Sequence, residues 1–390
     1  MPMNTRAITS RIEPLVPAFI LVVLAAPVIP AYEALLFDET WYVPAARRFL
    51  DSHVYERVEH PPLGQLLISA GILLLGDNPR GWRTPSLAFA AASLILTYYV
   101  AGELSKRRIV ALTSSMLLAS EKLFFTFSTI GVLDMFFIAF SLLSVYAALK
   151  GRVIPSALAL AAGLCCKLTA VLFLPVILLI LFIGKSKNPE TSMGEKILAA
   201  AKWLVLTVAS FLVFLYLFDG LYSAADGAEE AVIRNPIRHV SHMVGIHTSG
   251  NWPSGYGEPP WTWIIQPRNY YLGGVSLIGN GPFETLNPFI YGLTFIAMPH
   301  SLWSSIRTRD PKSTLSWAWF TSTYVIWIPL YFVVQRPLFS FYLLPAIPIM
   351  CSTAASFLNG DRRTQCLFAV LNLTFFLLFQ YPMRMVISGM

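Results

Sequence analysis

Charge is what this chain has least of. Asp, Glu, Lys and Arg together make up 13% of its 390 residues, against 56% hydrophobic, and the mean hydropathy is +0.61. That scarcity excludes an ordinary soluble domain. Cysteine is also sparse. The four, Cys165, Cys166, Cys351 and Cys366, show no metal-ligand spacing, and a vicinal pair is a poor disulfide, so all are expected as small core residues. Tandem repeats and low-complexity tracts are missing. So is the apolar–polar alternation of a transmembrane barrel. What the chain has instead is a succession of continuous apolar runs, many near the roughly 20 residues that cross hydrocarbon. The expected fold class is an all-α polytopic membrane protein.

A net charge of +7 suggests nucleic-acid binding only until its distribution is read. The basic residues sit in short loops: Lys106-Arg107-Arg108, Lys150 and Arg152, Lys185 and Lys187, Arg307 to Lys312, and Arg362-Arg363. This is the positive-inside pattern, so these loops, with Arg6 and Arg11, are expected in the cytoplasm. About eleven spans follow, with the N-terminus inside and the C-terminus outside. Their approximate ranges are 15–37, 82–102, 109–122, 130–149, 153–167, 168–184, 199–218, 286–305, 314–334, 338–358 and 365–383. The third and fifth are short and need neighbours or a cavity beside them. The first run exceeds a typical leader core and is expected as a retained helix, bent by Pro17, Pro27 and Pro30.

Two outer segments are long. Residues 38–81 hold an acidic pair and an apolar stretch, Leu63 to Leu75, too short to span and suited to the interface. Residues 219–284 are rich in Gly, Pro, Trp and Tyr, with Trp252, Trp261, Trp263, Tyr270 and Tyr271 suited to the headgroup layer. No soluble domain fits between the spans, so residues 1–390 read as one membrane domain.

Asp38-Glu39 lies where the first apolar run stops. A span needs no such pair, so either it ends a helix in the polar layer or it has chemistry to do. Transfer of a sugar from a lipid phosphate to a hydroxyl needs one carboxylate base and cations to hold the phosphate. The phosphodiester already leaves well, so no general acid is required. A glycosidase needs two carboxylates because its leaving alcohol must be protonated. Asp38 fits the base and Glu39 the positioning of acceptor or sugar. His60-Pro61-Pro62 fixes an extended backbone that either aims His60 at the same cavity or simply opens a helix. Arg83 suits bidentate phosphate contact or a snorkelling anchor. Asp134, among Leu133, Met135 and Phe136, demands a partner, and Lys167 supplies either a structural ion pair or a site cation. Arg336, near Phe341-Tyr342, adds another cation on the same side.

Asp38-Glu39, His60-Pro61-Pro62-Leu63-Gly64, Arg83 with Ser86, Leu133-Asp134, Lys167, and Phe341-Tyr342 with Leu344-Pro345 together resemble the dolichyl-phosphate-mannose–protein mannosyltransferase family, in order and spacing, over nearly the whole chain. Ser254 to Tyr271 is similar to the region preceding that family's later spans. The resemblance implies a C-type glycosyltransferase fold with an outward cavity under the first loop. It also implies inverting mannose transfer from a polyprenyl phosphate to Ser or Thr of a translocating protein. It places Asp38 and Glu39 in the active site, with His60, Arg83, Asp134, Lys167, Arg336 and Tyr342 around the donor. One departure is Gln65, where the family's loop motif carries Lys. The large sugar-binding loop domain of the eukaryotic members is absent, as in the prokaryotic branch. Lipid-phosphate-sugar enzymes such as the aminoarabinose transferase of lipid A share the acidic pair, which leaves another sugar or a lipid or glycan acceptor as an alternative. A flippase for polyprenyl-linked sugars is a third reading, disfavoured because its charges belong near the midplane. Phosphate stabilisation is open between a divalent ion on Asp38, Glu39 and His60 and direct contact by Arg and Lys.

Overall fold

The computed structural model describes residues 12–186, 192–224, 227–248, 257–265, 271–272, 275–276, 287–333 and 337–382. Helix follows helix, and the described strands are two residue pairs, Tyr271–Leu272 and Val275–Ser276.

The first apolar run does not form one long helix. α1 spans Leu15–Ala25, and the chain then turns through Pro27 and Pro30. Proline here ends the helix instead of bending it, because it lacks the N–H that the next turn needs. Asp38 consequently takes the position just before the following helix, α2 (Glu39–Ser52), without a capping side-chain hydrogen bond, instead of terminating the first. α3 (Leu63–Leu75) occupies the apolar stretch expected at the interface, with Leu73 and Leu74 exposed at its end.

α4 (Pro79–Ser105) starts on good signals: Asn78 accepts from the Arg80 N–H at 3.0 Å, and Pro79 takes the first helical position. At 27 residues it is about 40 Å long, enough for the bilayer. Its corner with α3 is tied by Asp77, which accepts from Arg47 at 2.8 Å and from the Trp82 indole at 2.6 Å. α3 and α4 meet through glycine: a Cβ on Gly71 would lie 2.3 Å from the Gly81 carbonyl oxygen.

α5 (Arg108–Ala119) and α6 (Lys122–Ser128) together have the length and apolarity of a span but bend by 66°, as a broken span or a re-entrant loop does. α7 (Asp134–Leu149), α8 (Val153–Cys166) and α9 (Leu174–Ser186) follow, the last entered through a tight turn at Leu168–Phe173. α10 (Met193–Asp219) opens on a capping box between Ser192 and Glu195. Most of it faces outward, with Val205, Val213 and Leu217 exposed, as a lipid-facing helix requires. α11 (Gly227–Ile233) and α12 (Pro236–Thr248) lie in the second long outer segment. α13 (Leu293–Thr308), α14 (Pro311–Phe320), α15 (Trp327–Val333), α16 (Ile347–Phe357) and α17 (Arg362–Phe375) complete the described helices.

Among the described residues, four helical segments are long and apolar enough to cross a membrane alone, and counting the bent α5–α6 pair as one span gives five. Five more apolar helices are shorter, so the expected eleven do not appear as eleven full-length crossings among the described residues. Proline and wide π-type turns, as at Pro288–Gly292 and Thr321–Val325, divide what reads in sequence as continuous apolar run.

Two smaller expectations also fail. Trp263 is fully buried against Tyr324, Trp327 and Tyr342 and donates to the Glu258 carbonyl, so it is a core ring, while Trp261 is 42% exposed. Trp252 and Tyr270 lie outside the described residues. Cys165, Cys166 and Cys351 are buried, but Cys366 is exposed on α17.

Because the Gly81 carbonyl leaves no room, Gly71→Ala should force α3 off α4. We expect a loss of about 1–3 kcal/mol, the usual cost of overpacking, read as a lower melting temperature in detergent. An unchanged melt would show that this crossing does not set the corner.

Candidate active site

Glu39 is the first residue of α2, where the helix dipole favours a carboxylate, and it is completely buried. Arg83, one turn into α4 and 1% exposed, meets it in a two-pronged ion pair: Nε to Oε1 and Nη2 to Oε2, each at 2.8 Å. The same carboxylate accepts the Leu36 N–H at 2.8 Å and the Gly131 N–H at 2.6 Å. Arg83 spends its remaining donors on the carbonyls of Ile29 and Tyr32 at 2.7 Å and Ala34 at 2.9 Å. A guanidinium carries five N–H groups, and all five are engaged. Ser86, one turn further along α4, exchanges hydrogen bonds with the backbone of Val132 at 3.3 Å. Glu39 and Ser86 thus both hold the 131–132 turn.

That turn leads into Asp134, the first residue of α7. Lys167, extended between α8 and the Leu168–Phe173 turn, places Nζ 2.9 Å from both Asp134 oxygens and 5.1 Å from the Phe341 ring centre. Both partners are buried. The Pro61-Pro62-Leu63-Gly64 entry to α3 lies directly over this pair. A Cβ on Gly64 would meet Leu133 Cδ2 at 2.7 Å and the Cys166 carbonyl at 3.4 Å, the neighbours of Asp134 and Lys167.

Asp38 is half-buried at the cap of α2. Its neighbour Phe37 packs edge-on against Phe341 at 5.5 Å, the same ring that sits under Lys167. Tyr42, one turn along α2, is 3.2 Å from His60 Nε2. Burial, and after it the charges of Asp38, Asp134 and Glu59, push the Tyr42 phenol well above its ordinary pKa. It therefore stays a neutral hydroxyl amid carboxylates. Tyr342, from the turn before α16, stacks on Trp327 at 4.7 Å and also contributes to the field at Tyr42.

The second outer segment closes over the first. Tyr55 N–H donates to the Ser223 carbonyl at 2.9 Å and Ser223 N–H to the His53 carbonyl at 2.7 Å. His239, buried on α12, lies 2.8 Å from Asp219 and 2.8 Å from the Val58 carbonyl. His247 reaches the Glu59 carbonyl at 3.0 Å, with its ring 5.1 Å from His60.

Asp38, Glu39, His60, Asp134, Lys167 and Tyr342 are therefore brought to one neighbourhood. Arg83 is nearby but turned inward, its donors used. Arg336 lies outside the described residues. Among the described residues, no three His, Cys, Asp or Glu side chains gather closely enough to hold a metal ion. Glu39 in particular is withdrawn from the Asp38–Glu39–His60 set by Arg83.

Sequence reasoning passed over Glu121 and Lys122, both buried at the α5–α6 bend, where Glu121 caps α6 through the Phe124 N–H and accepts from Tyr291 at 2.9 Å. An acid–base pair inside Leu117 to Phe127 carries the same signal as Asp134. Asp219, His239 and His247 were also missed, since only the fold brings them to the 53–60 loop.

Removing the guanidinium strands a buried carboxylate, so Arg83→Ala should cost about 3–5 kcal/mol. Arg83→Lys should recover only part, because an ammonium cannot serve five acceptors in fork geometry. Unfolding in detergent, followed by tryptophan fluorescence, measures both. A wild-type melt for the alanine variant would show that the pair holds nothing.

Residues 59–216 match the family model described as dolichyl-phosphate-mannose-protein mannosyltransferase. A stretch of 112 residues is 30% identical to the polyprenol-phosphate-mannose–protein mannosyltransferase of Mycolicibacterium smegmatis, covering 27% of this chain and 22% of that protein. In fold, the S. cerevisiae protein O-mannosyltransferase Pmt1–Pmt2 complex bound to the sugar donor superposes with TM-score 0.77 at 13% identity, over 98% of this chain and 90% of that one. ArnT from Cupriavidus metallidurans bound to undecaprenyl phosphate gives 0.57 at 17% identity, over 90% and 61%. Over residues 59–216 this chain is similar in sequence to the dolichyl-phosphate-mannose–protein mannosyltransferases, and over nearly its whole length it has the C-type glycosyltransferase fold.

Proposed function

We propose that this protein is an inverting membrane glycosyltransferase that moves mannose from a polyprenyl phosphate to Ser or Thr hydroxyls of proteins. The observation that carries the reading is the unequal state of two adjacent carboxylates. Glu39 is fully engaged by Arg83 and two backbone N–H groups, while Asp38 is half-buried and its neighbour Phe37 packs on the Phe341 ring that Lys167 also meets. A rigidly held carboxylate next to a partly exposed one suits a single-base transfer.

Asp38 takes the proton of the acceptor hydroxyl. The hydroxyl oxygen then bonds to C1 of the sugar from the face opposite the phosphate, the C1–O bond breaks, and its electron pair leaves on the phosphate. Lys167 uses two N–H groups on Asp134, and its third is the cationic donor available to the departing phosphate. Glu39 and Arg83 position Asp38 and do not touch the reacting atoms, which differs from the roles expected of them in sequence. His60 and Tyr42 line the sugar side, and Tyr342 with Trp327 supplies an aromatic wall.

The same arrangement speaks against a flippase. Arg83, the 131–134 turn and Lys167 lie at one end of α4, α7 and α8. Lys106, Lys150 and Arg152 lie at the other, where Glu103 bridges Lys106 at 2.7 Å and Lys150 at 3.0 Å. The positive-inside pattern supports a cytoplasmic second end, with the site and the C-terminus on the outside.

The test is incubation of purified protein with labelled polyprenyl-phosphate-mannose and Ser/Thr peptides. Label on the peptide is the expected result, whereas label on a lipid or glycan would assign the alternative acceptor. Asp38→Asn should lower transfer about 10²–10⁴-fold, the usual contribution of a general base, with donor binding retained. Lys167→Met should instead weaken donor binding. Normal turnover by the Asp38 variant would remove that residue from the mechanism.

A further inference from the structure

The basic end of the bundle contains two adjoining cavities that the transfer reaction does not use. One, of about 300 Å³, is bordered by Arg107, His300, Lys312 and the hydroxyls of Ser316, Thr353 and Ser356. The other, of about 540 Å³, is bordered by Leu149, Ile180, Ile183 and Leu315, with Lys106 and Lys150 beside it. They share Leu104, Asp310 and Lys312, so a polar lobe continues into an apolar one. Arg107 is 24 residues beyond Arg83 along and just past α4, a separation of about 36 Å at helical rise.

We propose that this pair of lobes binds an anionic phospholipid, its phosphate in the polar lobe and an acyl chain along the apolar one. Three independent features carry the assignment. Charge comes first: Lys106, Arg107, Lys150 and Lys312 outnumber the carboxylates Glu103 and Asp310. Both acids are already occupied, Glu103 by Lys106 and Lys150, and Asp310 by the Ser313 hydroxyl at 2.7 Å and N–H at 3.0 Å. Although partial burial opposes the charged form, the Ser313 contacts hold the Asp310 carboxyl below its usual range, and it keeps its role as the cap of α14.

Second, Thr353 is only 8% exposed, yet its Oγ1 has no hydrogen-bond partner among the described residues. A helical threonine ordinarily bonds back to the preceding turn, so a buried hydroxyl left open beside a cationic cavity is suited to a phosphate oxygen. Third, Arg107 is anchored rather than loose. Its Nη1 and Nη2 donate to Asn359 at 3.1 Å and to the Gly360 carbonyl at 2.6 Å, which fixes the guanidinium at the cavity wall. A free phosphate ion would use only the polar lobe. The apolar lobe between α7, α9 and α14 is what selects an amphiphile.

The test uses the full chain in detergent and compares phosphatidylglycerol with phosphatidylcholine of the same acyl chains, by native mass spectrometry. Wild type should favour phosphatidylglycerol by about tenfold or more, since each basic contact near an anionic surface adds about 1 kcal/mol. Lys312→Glu and, separately, Thr353→Leu should abolish that preference while melting as wild type does. If one variant fails to fold, the other decides. Equal retention of the two lipids, or a preference that survives in the folded variants, would overturn the proposal. So would displacement of bound lipid by millimolar inorganic phosphate without any headgroup preference, which would assign a soluble-anion site.

Discussion

The end of this bundle that carries Asp38 hangs on the buried contact between Glu39 and Arg83. It joins the start of α2, the irregular 26–37 segment, the body of α4 and the turn before α7 at a single point. Two charges taken out of water are costly, and only full hydrogen bonding repays the desolvation. Here the guanidinium reaches five acceptors and the carboxylate four donors. Such a pair adds little net stability over a well-packed apolar substitute, but it tolerates no alternative geometry. What it fixes is the direction in which α2 leaves the bundle, and with it the place of Asp38.

A division of labour follows. At the end that carries Asp38, buried pairs join Glu39 to Arg83, Asp134 to Lys167 and Asp219 to His239, while Arg47–Asp77 and Arg234–Glu230 stay exposed. At the other end the pairs are exposed and made by long flexible side chains, as with Arg108 and Glu13 at 2.8 Å. Exposed pairs of that kind are worth little and rearrange readily. Rigid electrostatics therefore accompanies the proposed chemistry, and adaptable electrostatics accompanies the membrane surface.

Much of the site was legible in the sequence. Asp38-Glu39, His60, Asp134 and Lys167 stood out because polar groups beside apolar runs demand an account, and the structure brings them together. That Glu39 is buried in an ion pair was not legible, since it depends on an arginine 44 residues away. Arg83 read as a phosphate ligand or an interfacial anchor. Its actual set of backbone carbonyls, at Ile29, Tyr32 and Ala34, follows from the chain turning at Pro27 and Pro30, which composition does not report. Helix lengths were misjudged for a related reason. Hydropathy measures whether a segment tolerates lipid, not whether its hydrogen-bond ladder is continuous. Trp263 shows the limit for single residues: an indole in a polar loop resembles a headgroup anchor until its neighbours are known.

The stitching of the 53–60 loop to the segment after α10 has a mechanical corollary. With strand-like hydrogen bonds at Tyr55 and Ser223, the stacked rings of Tyr55 and Tyr222, and two histidines clasping the carbonyls of Val58 and Glu59, neither flap can swing by itself. Any displacement of one segment therefore carries the other with it, so the two move as a single plate.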